Sequence, residues 1–360
     1  MLRIGAVIAA MLALPGAGIA APPVLSLSGN TLKDARGKTV RLRGVNIMGY
    51  EYSPQGDHVV ATVSTALDWQ GNVLRIPISQ DYWMGYGADS KEYRKAIDSV
   101  IRKATARNCY VIIDLHWSDA GKWGENHGQH NMPDDNTAIA WANIATRYKN
   151  NPNVLLGIYN EPHDIEWSLW LNGGMVTNDK STDGKLTGID YHTPGIQSLI
   201  NTVRRTGAGN IIVIGGIGYA GELTGVVKKP SEGGYRPFDP GVGGKKQPNP
   251  KQNILYDVHI YPFSYSDWDG RVTVAAKVGL PIFVGEFGCR PGDGDWDDRM
   301  IGWIEKNGYS AAAWCFYGGN NDPKKADNLD LLNSWDTLTP TAWHGVPVKN
   351  WLAKSAKSEK

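Results

Sequence analysis

The 360-residue sequence predicts one α/β domain, a closed (β/α)8 TIM barrel. Short β-rich runs alternate with helical patterns along the chain, and this alternation favours a parallel sheet with helical crossovers. The runs number eight, whereas open doubly wound sheets usually have fewer strands. Polar residues follow nearly every run, as expected where the loops after parallel strands build a site.

The predicted strands are short apolar runs rich in β-branched residues. They are Val40–Met48, Val73–Ser79, Tyr110–Trp117, Val154–Asn160, Asn210–Gly215, Ile254–Tyr261, Pro281–Glu286 and Ser310–Tyr317. Helices are predicted between them where apolar residues recur on one stripe, most clearly in Glu92–Arg107, Thr137–Tyr148 and Gly195–Arg205.

The fifth strand–helix unit has the weakest pattern. Its helix must lie between Tyr219 and Val227, ahead of a Gly-, Pro- and Lys-rich stretch, Lys228–Gln252, which reads as an irregular excursion. A flexible linker between two domains is the alternative interpretation of that stretch. We reject it because the alternation resumes at Ile254 and reaches eight units only across the break.

The amino terminus reads as a targeting segment followed by a short lead-in. Residues 1–20 combine Arg3, an apolar stretch and small residues up to Ala20, which predicts a secretory signal peptide cleaved near Ala20. The protein is therefore expected to be exported, to a periplasm or the medium, and to have no membrane span. Residues 21–360 then form one domain, in which Leu25–Thr39 is expected to make a hairpin under the barrel.

Composition excludes some classes of partner. Lys and Arg number 37 and Asp and Glu 36, so neither nucleic acid nor an anionic membrane has electrostatic support as a ligand. The chain has 14 Trp and 16 Tyr but only 5 Phe, aromatics that offer an apolar face with a polar edge. Stacking on sugar rings uses that combination. A monomer is the expected oligomeric state.

The three cysteines do not form a disulfide scaffold, so packing must hold the fold. A bridge between Cys289 and Cys315 is conceivable because both lie at the last two predicted strands, but buried free thiols are the favoured interpretation. Cys109, just before the third predicted strand, is expected to be inert.

Two glutamates close predicted strands and indicate chemistry. Glu161 ends Ile-Tyr-Asn-Glu-Pro, and Glu286 lies in Ile-Phe-Val-Gly-Glu-Phe-Gly. Burying a carboxylate costs free energy, so two at strand ends suggest a site that needs an acid and a nucleophile or base. Other strand ends add His259 and Tyr261, which are two residues apart and so share a face.

The ordered set of polar and aromatic residues at the strand ends resembles that of glycoside hydrolase family 5, which belongs to a large clan of retaining β-glycanases with barrel folds and two catalytic glutamates. The resemblance covers essentially all of residues 21–360. It rests on eight positions that occur in the family's order: Arg75, His116, Asn160, Glu161, His259, Tyr261, Glu286 and Trp314.

This resemblance implies a double displacement. Glu286 would be the nucleophile, kept ionised by Arg75 and the Tyr261 hydroxyl, and Glu161 would be the acid and then the base. Glu161 is expected to have no cation beside it, so that partial burial raises its pKa and keeps it protonated.

The resemblance also assigns supporting roles. Asn160 would bind the 2-hydroxyl of the sugar, and Trp314 would be the floor on which that sugar stacks. His116 and His259 would bind hydroxyls or orient the glutamates. No cofactor and no metal are expected. His127 and His130 have ligand-like spacing, yet no carboxylate or thiol set completes a site, so they are expected to be exposed or to face the substrate.

Aromatic residues after the strands are candidates for the sugar cleft. Trp123, Trp167 and Trp170 are the predicted platforms, and several platforms suit an extended glycan. The expected activity is that of an endo-β-1,4-glucanase acting on cellulose or soluble β-glucans. A β-1,4-mannanase, a xyloglucanase or an exo-glucosidase of the same family is the alternative enzyme. A non-catalytic carbohydrate-binding barrel is the alternative of another class.

Overall fold

Eight parallel strands close into a barrel in the computed structural model, which describes residues 21–179, 188–244, 252–319 and 328–358. The predicted signal peptide lies outside the described residues. Beside the barrel, the chain forms a three-stranded antiparallel sheet and a two-stranded ribbon. The predicted fold class is confirmed, since the barrel order closes the eighth strand onto the first.

The described strands are β1 (Ser26–Ser28), β2 (Thr31–Lys33), β3 (Thr39–Val40), β4 (Arg43–Asn46), β5 (Val73–Ser79), β6 (Tyr110–Trp117), β7 (Val154–Gly157), β8 (Gly174–Asp179), β9 (Ile189–Thr193), β10 (Ile212–Gly215), β11 (Ile254–Ile260), β12 (Ile282–Phe287) and β13 (Ser310–Ala313). The barrel strands, first to eighth, are β4, β5, β6, β7, β10, β11, β12 and β13.

The described helices are α1 (Val59–Asp68), α2 (Gln80–Met84), α3 (Ser90–Thr105), α4 (Asp135–Tyr148), α5 (Trp167–Asn172), α6 (Gly195–Arg205), α7 (Ile217–Ala220), α8 (Val274–Lys277), α9 (Trp296–Asn307) and α10 (Gly345–Ser358). Short 3-10 turns cover Thr224–Val227, Pro230–Glu232 and Val242–Gly244, and a π turn covers Asp269–Thr273. Within the described ranges, we find no helix with the length and apolar character needed to cross a bilayer.

The barrel strands are buried on both faces, as parallel strands under helices must be. The second and third, β5 and β6, have the predicted bounds. The fourth and eighth end earlier than predicted, at Gly157 and Ala313, so Glu161 and Trp314 lie in the loops that follow. Packing at the first pair of strands is so close that a Cβ on Gly44 would lie 1.7 Å from the carbonyl oxygen of Val73.

The main helices begin and end close to the predicted bounds because local sequence signals agree with the apolar stripe. Helix α3 begins after Asp89, whose carboxylate accepts hydrogen bonds from the N–H groups of Lys91 and Glu92. Helix α4 begins after Asp134, which forms a reciprocal capping box with Thr137.

The lead-in forms a small sheet at the amino-terminal end of the barrel. Strands β1 to β3 pair in order, and a turn at Asp34 connects β2 to β3. The chain contains one more strand here than the predicted hairpin. Leu25, Leu27 and Leu32 pack in one cluster with the inward-facing barrel residues Val73 and Phe283. Their burial fills this end of the barrel with apolar side chains.

The fifth crossover, which connects β10 to β11, lacks the predicted helix between Tyr219 and Val227. Helix α7 has only four residues, and a 3-10 turn covers Thr224–Val227. The helical path is interrupted because Gly218 and Tyr219 have left-handed backbone angles, which L-residues do not propagate.

An extended segment replaces that helix and is attached to the preceding one. Arg204 of α6 donates to both carboxylate oxygens of Asp239, at 2.8 Å and 2.7 Å, and both side chains are buried. Asp239 also accepts a hydrogen bond from the N–H of Asn253, one residue before β11. The described part of Lys228–Gln252 therefore belongs to the fifth crossover, and these contacts attach it to α6 and to the start of β11.

All three cysteines are free and buried. Cys289 lies 3.2 Å from the carbonyl oxygen of Trp343, and the sulfur of Cys315 lies 3.2 Å from that of Met48. The interpretation as buried free thiols is confirmed, and no bridge joins Cys289 to Cys315.

Candidate active site

Glu286 lies near the end of the seventh barrel strand, β12, with two donors on its carboxylate. Arg75, from β5, donates from Nη1 to Oε1 at 2.7 Å. The Tyr261 hydroxyl, just after β11, donates to Oε2 at 2.7 Å. Both neighbours expected from the sequence are therefore in place. These charge-assisted hydrogen bonds hold the carboxylate in one orientation.

Arg75 connects the carboxylate of Glu286 to three other strand ends. Its guanidinium donates to Asn46 Oδ1 at 2.8 Å and to Asn160 Oδ1 at 2.6 Å, and it lies 3.0 Å from Asp114 Oδ1. Burial lowers the pKa of Arg75, but the carboxylates of Asp114 and Glu286 outweigh this and raise it above its ordinary value. The side chain is a permanent cation in the centre of the site.

Glu161 follows the fourth barrel strand, β7, and its surroundings differ from the expectation. His259 Nδ1 lies 2.7 Å from Oε1, and Gln129 Nε2 donates to Oε2 at 2.7 Å. Burial raises the pKa of Glu161, but the hydrogen bonds from His259 and Gln129 outweigh it, so the pKa lies below its ordinary value. The prediction that Glu161 has no cationic neighbour and a raised pKa is wrong.

His259 is the group that connects the two glutamates. Its Nδ1 also lies 3.5 Å from Glu286 Oε2, and its Nε2 lies 3.5 Å from Asp257 Oδ2. Burial lowers the pKa of His259, but Glu286, Asp257 and Glu161 together raise it to about 10. At neutral pH the Glu161–His259 pair therefore holds one proton, located mainly on the imidazole.

The spacing of the glutamates distinguishes two mechanisms. Ligand atoms of Glu161, His259 and Glu286 all lie within 4.8 Å of one another. Retaining glycosidases place their carboxyl groups about 5 Å apart, whereas inverting enzymes need roughly 6.5 Å or more to admit a water. The geometry fits direct attack by a carboxylate.

The remaining predicted residues lie around this centre. His116 Nδ1 lies 2.7 Å from Asp114 Oδ2, and Asn160 Nδ2 lies 3.3 Å from His116 Nε2. Burial lowers the pKa of His116, but the contact with Asp114 outweighs it and raises the pKa overall. The Trp314 indole stacks on the His116 ring, with centroids 5.3 Å apart and planes at 9°.

Trp314 is also held through its backbone. His344 Nε2 donates to the Trp314 carbonyl oxygen at 2.8 Å, and His344 Nδ1 lies 2.6 Å from Asp297 Oδ2. Both His344 and Asp297 are buried. No pattern in the sequence connects these two residues with the site, because they come from α9 and the loop before α10.

Of the three predicted sugar platforms, Trp170 is wrong. It is 0% exposed and donates from its indole N–H to the Gly215 carbonyl oxygen, so it belongs to the core. Trp167 is half-buried against Trp170, and Gly225 lies against its ring, so its contacts give the platform role no support. Trp123 is half-buried and stacks on Tyr86, with centroids 4.8 Å apart, in the loop after β6.

The loop after β6 also carries two residues whose positions differ from the sequence-based expectation. Gln129, which binds Glu161, was missed because an isolated Gln in a loop carries no pattern. His130 is buried, pairs with Asp179 and lies 2.6 Å from the Asn126 carbonyl oxygen, so the expectation of an exposed or substrate-side residue is wrong. Its role is to fasten the loop to β8.

Two groups of side chains in the described ranges have the composition of metal ligands. One comprises Glu161, His259 and Glu286, and the other comprises Cys289, Asp297 and His344. Hydrogen bonds already connect members of both groups. The absence of a metal from the reaction stays a prediction.

A closed (β/α)8 barrel that carries one glutamate on its seventh strand and a second in the loop after its fourth is typical of glycoside hydrolases. More specifically, the chain belongs to glycosyl hydrolase family 5. The family model described as "Cellulase (glycosyl hydrolase family 5)" matches residues 33–320, which is most of the chain.

Relatives with known names are similar to the chain at modest identity. Endoglucanase E-5 of Thermobifida fusca is 26% identical over 302 residues, 79% of this chain but only 55% of that protein. An endoglucanase of Paenibacillus polymyxa is 26% identical over 354 residues, 86% of this chain and 82% of that protein. The chain thus spans about half of the first relative and most of the second.

Solved structures share the fold. The β-glucanase SdGluc5_26A of Saccharophagus degradans in complex with cellotetraose has a TM-score of 0.66 at 21% identity, covering 94% of this chain and 95% of that one. The catalytic domain of a mannanase from Streptomyces sp. SirexAA-E has a TM-score of 0.61 at 20% identity, covering 95% and 93%. At such identities the likeness shows the barrel alone.

Proposed function

We propose that the protein is a retaining endo-β-1,4-glucanase that hydrolyses cellulose or soluble β-glucans by double displacement. The single observation that carries the mechanism is the asymmetric pair of glutamates within 4.8 Å of each other. One has Arg75 and Tyr261 on its carboxylate, and the other shares a proton with His259.

In the first step, a carboxylate oxygen of Glu286 attacks the anomeric carbon as the bond to the glycosidic oxygen breaks. The departing oxygen takes the proton held by the Glu161–His259 pair. Tyr261 and Arg75 orient the attacking carboxylate, so that its free lone pairs face the sugar. The products of this step are a glycosyl ester on Glu286 and a shortened chain with a free hydroxyl.

In the second step, the Glu161 carboxylate accepts a proton from water, and the water oxygen attacks the anomeric carbon. The ester bond to Glu286 breaks and the carboxylate is restored beside Arg75. The proton returns to the pair, which is ready for another cycle. Two inversions at one carbon retain the β configuration.

Support for a β-1,4-glucan as substrate comes from the family and from the names of the curated relatives. The aromatic pair Tyr86 and Trp123 beside the cleft loops suits a chain of sugars. A β-1,4-mannanase is the second candidate, because a mannanase domain has the same fold at comparable similarity. Catalytic residues alone do not separate the two, since specificity depends on the loops.

Product analysis tests the proposal. Purified protein is incubated with carboxymethyl cellulose, mixed-linkage β-glucan, xyloglucan, galactomannan and reduced oligosaccharides. Rapid loss of viscosity with a spread of oligosaccharides from the glucans is the expected result. Activity confined to mannan would instead establish the mannanase, and release of monosaccharide alone would establish an exo-acting enzyme.

Two variants test the roles of the glutamates. Glu286→Gln should abolish turnover on every substrate, because no nucleophile remains. Glu161→Gln should keep the glycosylation step on aryl glycosides with excellent leaving groups, which need no protonation. Near-normal hydrolysis by Glu286→Gln would overturn the assignment.

Export is a separate proposal, supported by the composition of residues 1–20. To test export, protein is recovered from outside the cytoplasm, and its mass and amino-terminal sequence are determined. Cleavage near Ala20 is expected, and an uncut protein retained in the cytoplasm would contradict export.

A further inference from the structure

The two carboxylate oxygens of Glu161 have donors of different kinds. His259 Nδ1 lies 2.7 Å from Oε1, and Gln129 Nε2 donates to Oε2 at 2.7 Å. An imidazole can release its proton, whereas the amide of a glutamine keeps both of its N–H groups. One oxygen of Glu161 therefore faces a group that exchanges protons, and the other faces a permanent donor.

The backbone of Gln129 is held on both sides by buried contacts. Before it, Gly128 and Ser118 exchange two backbone hydrogen bonds of 2.8 Å and 3.1 Å. After it, the His130 N–H donates to the Tyr159 hydroxyl at 3.3 Å, and that hydroxyl donates to the His130 carbonyl oxygen at 2.7 Å. All four neighbours are buried. The loop after β6 therefore presents the Gln129 side chain to Glu161 from a fixed position.

The burial of Gln129 determines how its amide acts on Glu161. The residue is only 8% exposed, so the hydrogen bond to Oε2 lies in a largely desolvated setting. A hydrogen bond to an ionised group contributes more than one between neutral groups. The amide therefore stabilises the ionised carboxylate and disfavours a proton on Oε2. The proton shared with His259 is left on the side of Oε1.

Several charged or titratable groups also face Glu161. They are His259, His116, Glu286, Tyr261 and Tyr219. Both tyrosines stay neutral near neutral pH, because burial raises the pKa of each hydroxyl above its ordinary value. Gln129 carries no charge, so an uncharged residue in its place leaves the charge of every one of these groups unchanged. The contribution of its hydrogen bond can therefore be measured separately.

We propose that Gln129 is a positioning residue for proton transfer, which holds Oε2 of Glu161 and keeps the shared proton on the side of Oε1. The inference rests on the proposed glycanase function and adds a residue to its first step. As the glycosidic bond breaks, its electron pair stays on the departing oxygen, and that oxygen takes the proton. The Glu161–His259 pair is left with one more negative charge, which the amide N–H stabilises. Gln129 thus makes the pair a stronger acid.

Gln129→Met tests the donor, because methionine has about the same length and no N–H group. Cellotetraose needs a proton on its departing sugar oxygen, whereas 2,4-dinitrophenyl cellobioside releases its phenolate without one. Gln129→Met should lower kcat/KM on cellotetraose by about 10-fold, the lower end of what a hydrogen bond to a charged group contributes. It should leave the dinitrophenyl substrate unchanged. Phenyl cellobioside, whose leaving group is a poorer one than dinitrophenolate, should show a loss between the two.

Gln129→Glu separates the hydrogen bond from packing. Glutamic acid has the shape of glutamine but donates only when its carboxyl group is protonated. The ratio of variant to wild-type kcat/KM on cellotetraose should therefore rise as the pH falls in Gln129→Glu and stay low in Gln129→Met. A side chain that only filled space would give a ratio independent of pH in both.

Gln197→Met is the matched control for loss of a glutamine donor. Gln197 of α6 donates to the Phe238 carbonyl oxygen at 2.8 Å, on the outside of the barrel. This variant should leave kcat/KM unchanged on every substrate. Melting temperatures establish that each variant is folded under assay conditions, and the isosteric Gln129→Glu decides the question if Gln129→Met does not fold.

Three outcomes would overturn the role of Gln129. They are equal losses of Gln129→Met on cellotetraose and the dinitrophenyl substrate, no loss on cellotetraose, and a ratio for Gln129→Glu that does not change with pH. Wild-type protein that cleaves neither substrate would overturn the proposed function and this inference with it. A loss confined to cellotetraose in Glu161→Gln, without one in Gln129→Met, would overturn this inference alone.

Discussion

At the residue scale, different neighbours separate Glu161 and Glu286, two side chains of the same chemistry. The cation beside Glu286 is Arg75, which cannot give up its proton. The cation beside Glu161 is His259, which can. A carboxylate next to a fixed charge suits a nucleophile, and one that shares a mobile proton suits an acid that later becomes a base.

The proton shared by Glu161 and His259 leads to a prediction about the pH dependence of kcat/KM. In wild type the Glu161–His259 pair keeps its proton to high pH, since the pKa of His259 is raised to about 10. In His259→Asn, Glu161 alone must hold the proton, and a carboxyl group loses it at a lower pH. The basic limb of the kcat/KM profile should therefore move to lower pH in His259→Asn. A basic limb at the same pH in both proteins would contradict the shared proton.

The same pKa shift has a consequence for stability. Because the pKa of His259 is raised from 6.5 in the unfolded chain to about 10, its protonation stabilises the native state fully below pH 6.5. That contribution declines as the pH rises and is lost through pH 10. The urea midpoint of wild type should fall across this window, and that of His259→Asn should fall less.

At the element scale, the fifth crossover shows how an irregular segment is held without a helix. The Arg204–Asp239 pair joins it to α6 from within the core. Removing one partner of such a pair leaves a buried charge uncompensated and commonly costs about 3–5 kcal/mol. This buried ion pair, together with the hydrogen bonds between Gln197 and the backbone of Phe238, joins the crossover to α6, whereas the long helices are held by a whole apolar stripe.

Asp239→Asn tests this dependence. We expect a loss of about 3–5 kcal/mol in the free energy of unfolding, with faster amide exchange in residues 236–244. Asp98→Asn is the matched control, because Asp98 pairs with Arg147 at the surface and should cost about 1 kcal/mol or less. Similar losses in the two variants would show that the buried pair does not anchor the crossover.

At the scale of the whole molecule, stability and activity are assigned to opposite ends of the barrel. The glutamates and their partners lie at the carboxyl ends of the strands, and the leucines of the lead-in fill the other end. Substitutions at the two ends should therefore have separable effects.

Leu27→Ala tests the separation. Leu27 is buried in the cluster under the barrel, so the truncation should cost about 2–5 kcal/mol in the free energy of unfolding. The kcat/KM of the folded protein should be unchanged. Val24→Ala, at a position that is 51% exposed, should alter stability by less than about 0.5 kcal/mol. A large loss of kcat/KM in Leu27→Ala would show that the two ends are coupled.

Much of the architecture could be predicted because each barrel strand is buried on both faces and reads as a continuous apolar run. Strands β5 and β6 were found at their predicted bounds for this reason. The fifth crossover could not be predicted. Its path depends on the Arg204–Asp239 pair, whose members are 35 residues apart and carry no local pattern.

Some residues of the candidate site could likewise be predicted from the sequence, and others could not. The glutamates and Arg75 were predictable because they terminate or lie in recognisable strands. His259 was expected to bind hydroxyls or orient the glutamates, but Gln129 was not expected at the site. The contacts of both with Glu161 could not be read from the sequence, since they are 98 and 32 residues away and meet it only in the closed barrel. The burial of Trp170 could not be predicted, because a tryptophan between strands looks the same in sequence whether it faces solvent or the core.

The three free thiols determine which redox conditions the protein needs in order to fold. None is cross-linked and all are buried, so the native state contains no disulfide bond that depends on an oxidising compartment. Folding requires no disulfide isomerase, and glutathione has no bond to reduce. Production in a reducing cytoplasm should yield the same fold and the same catalyst as production outside it.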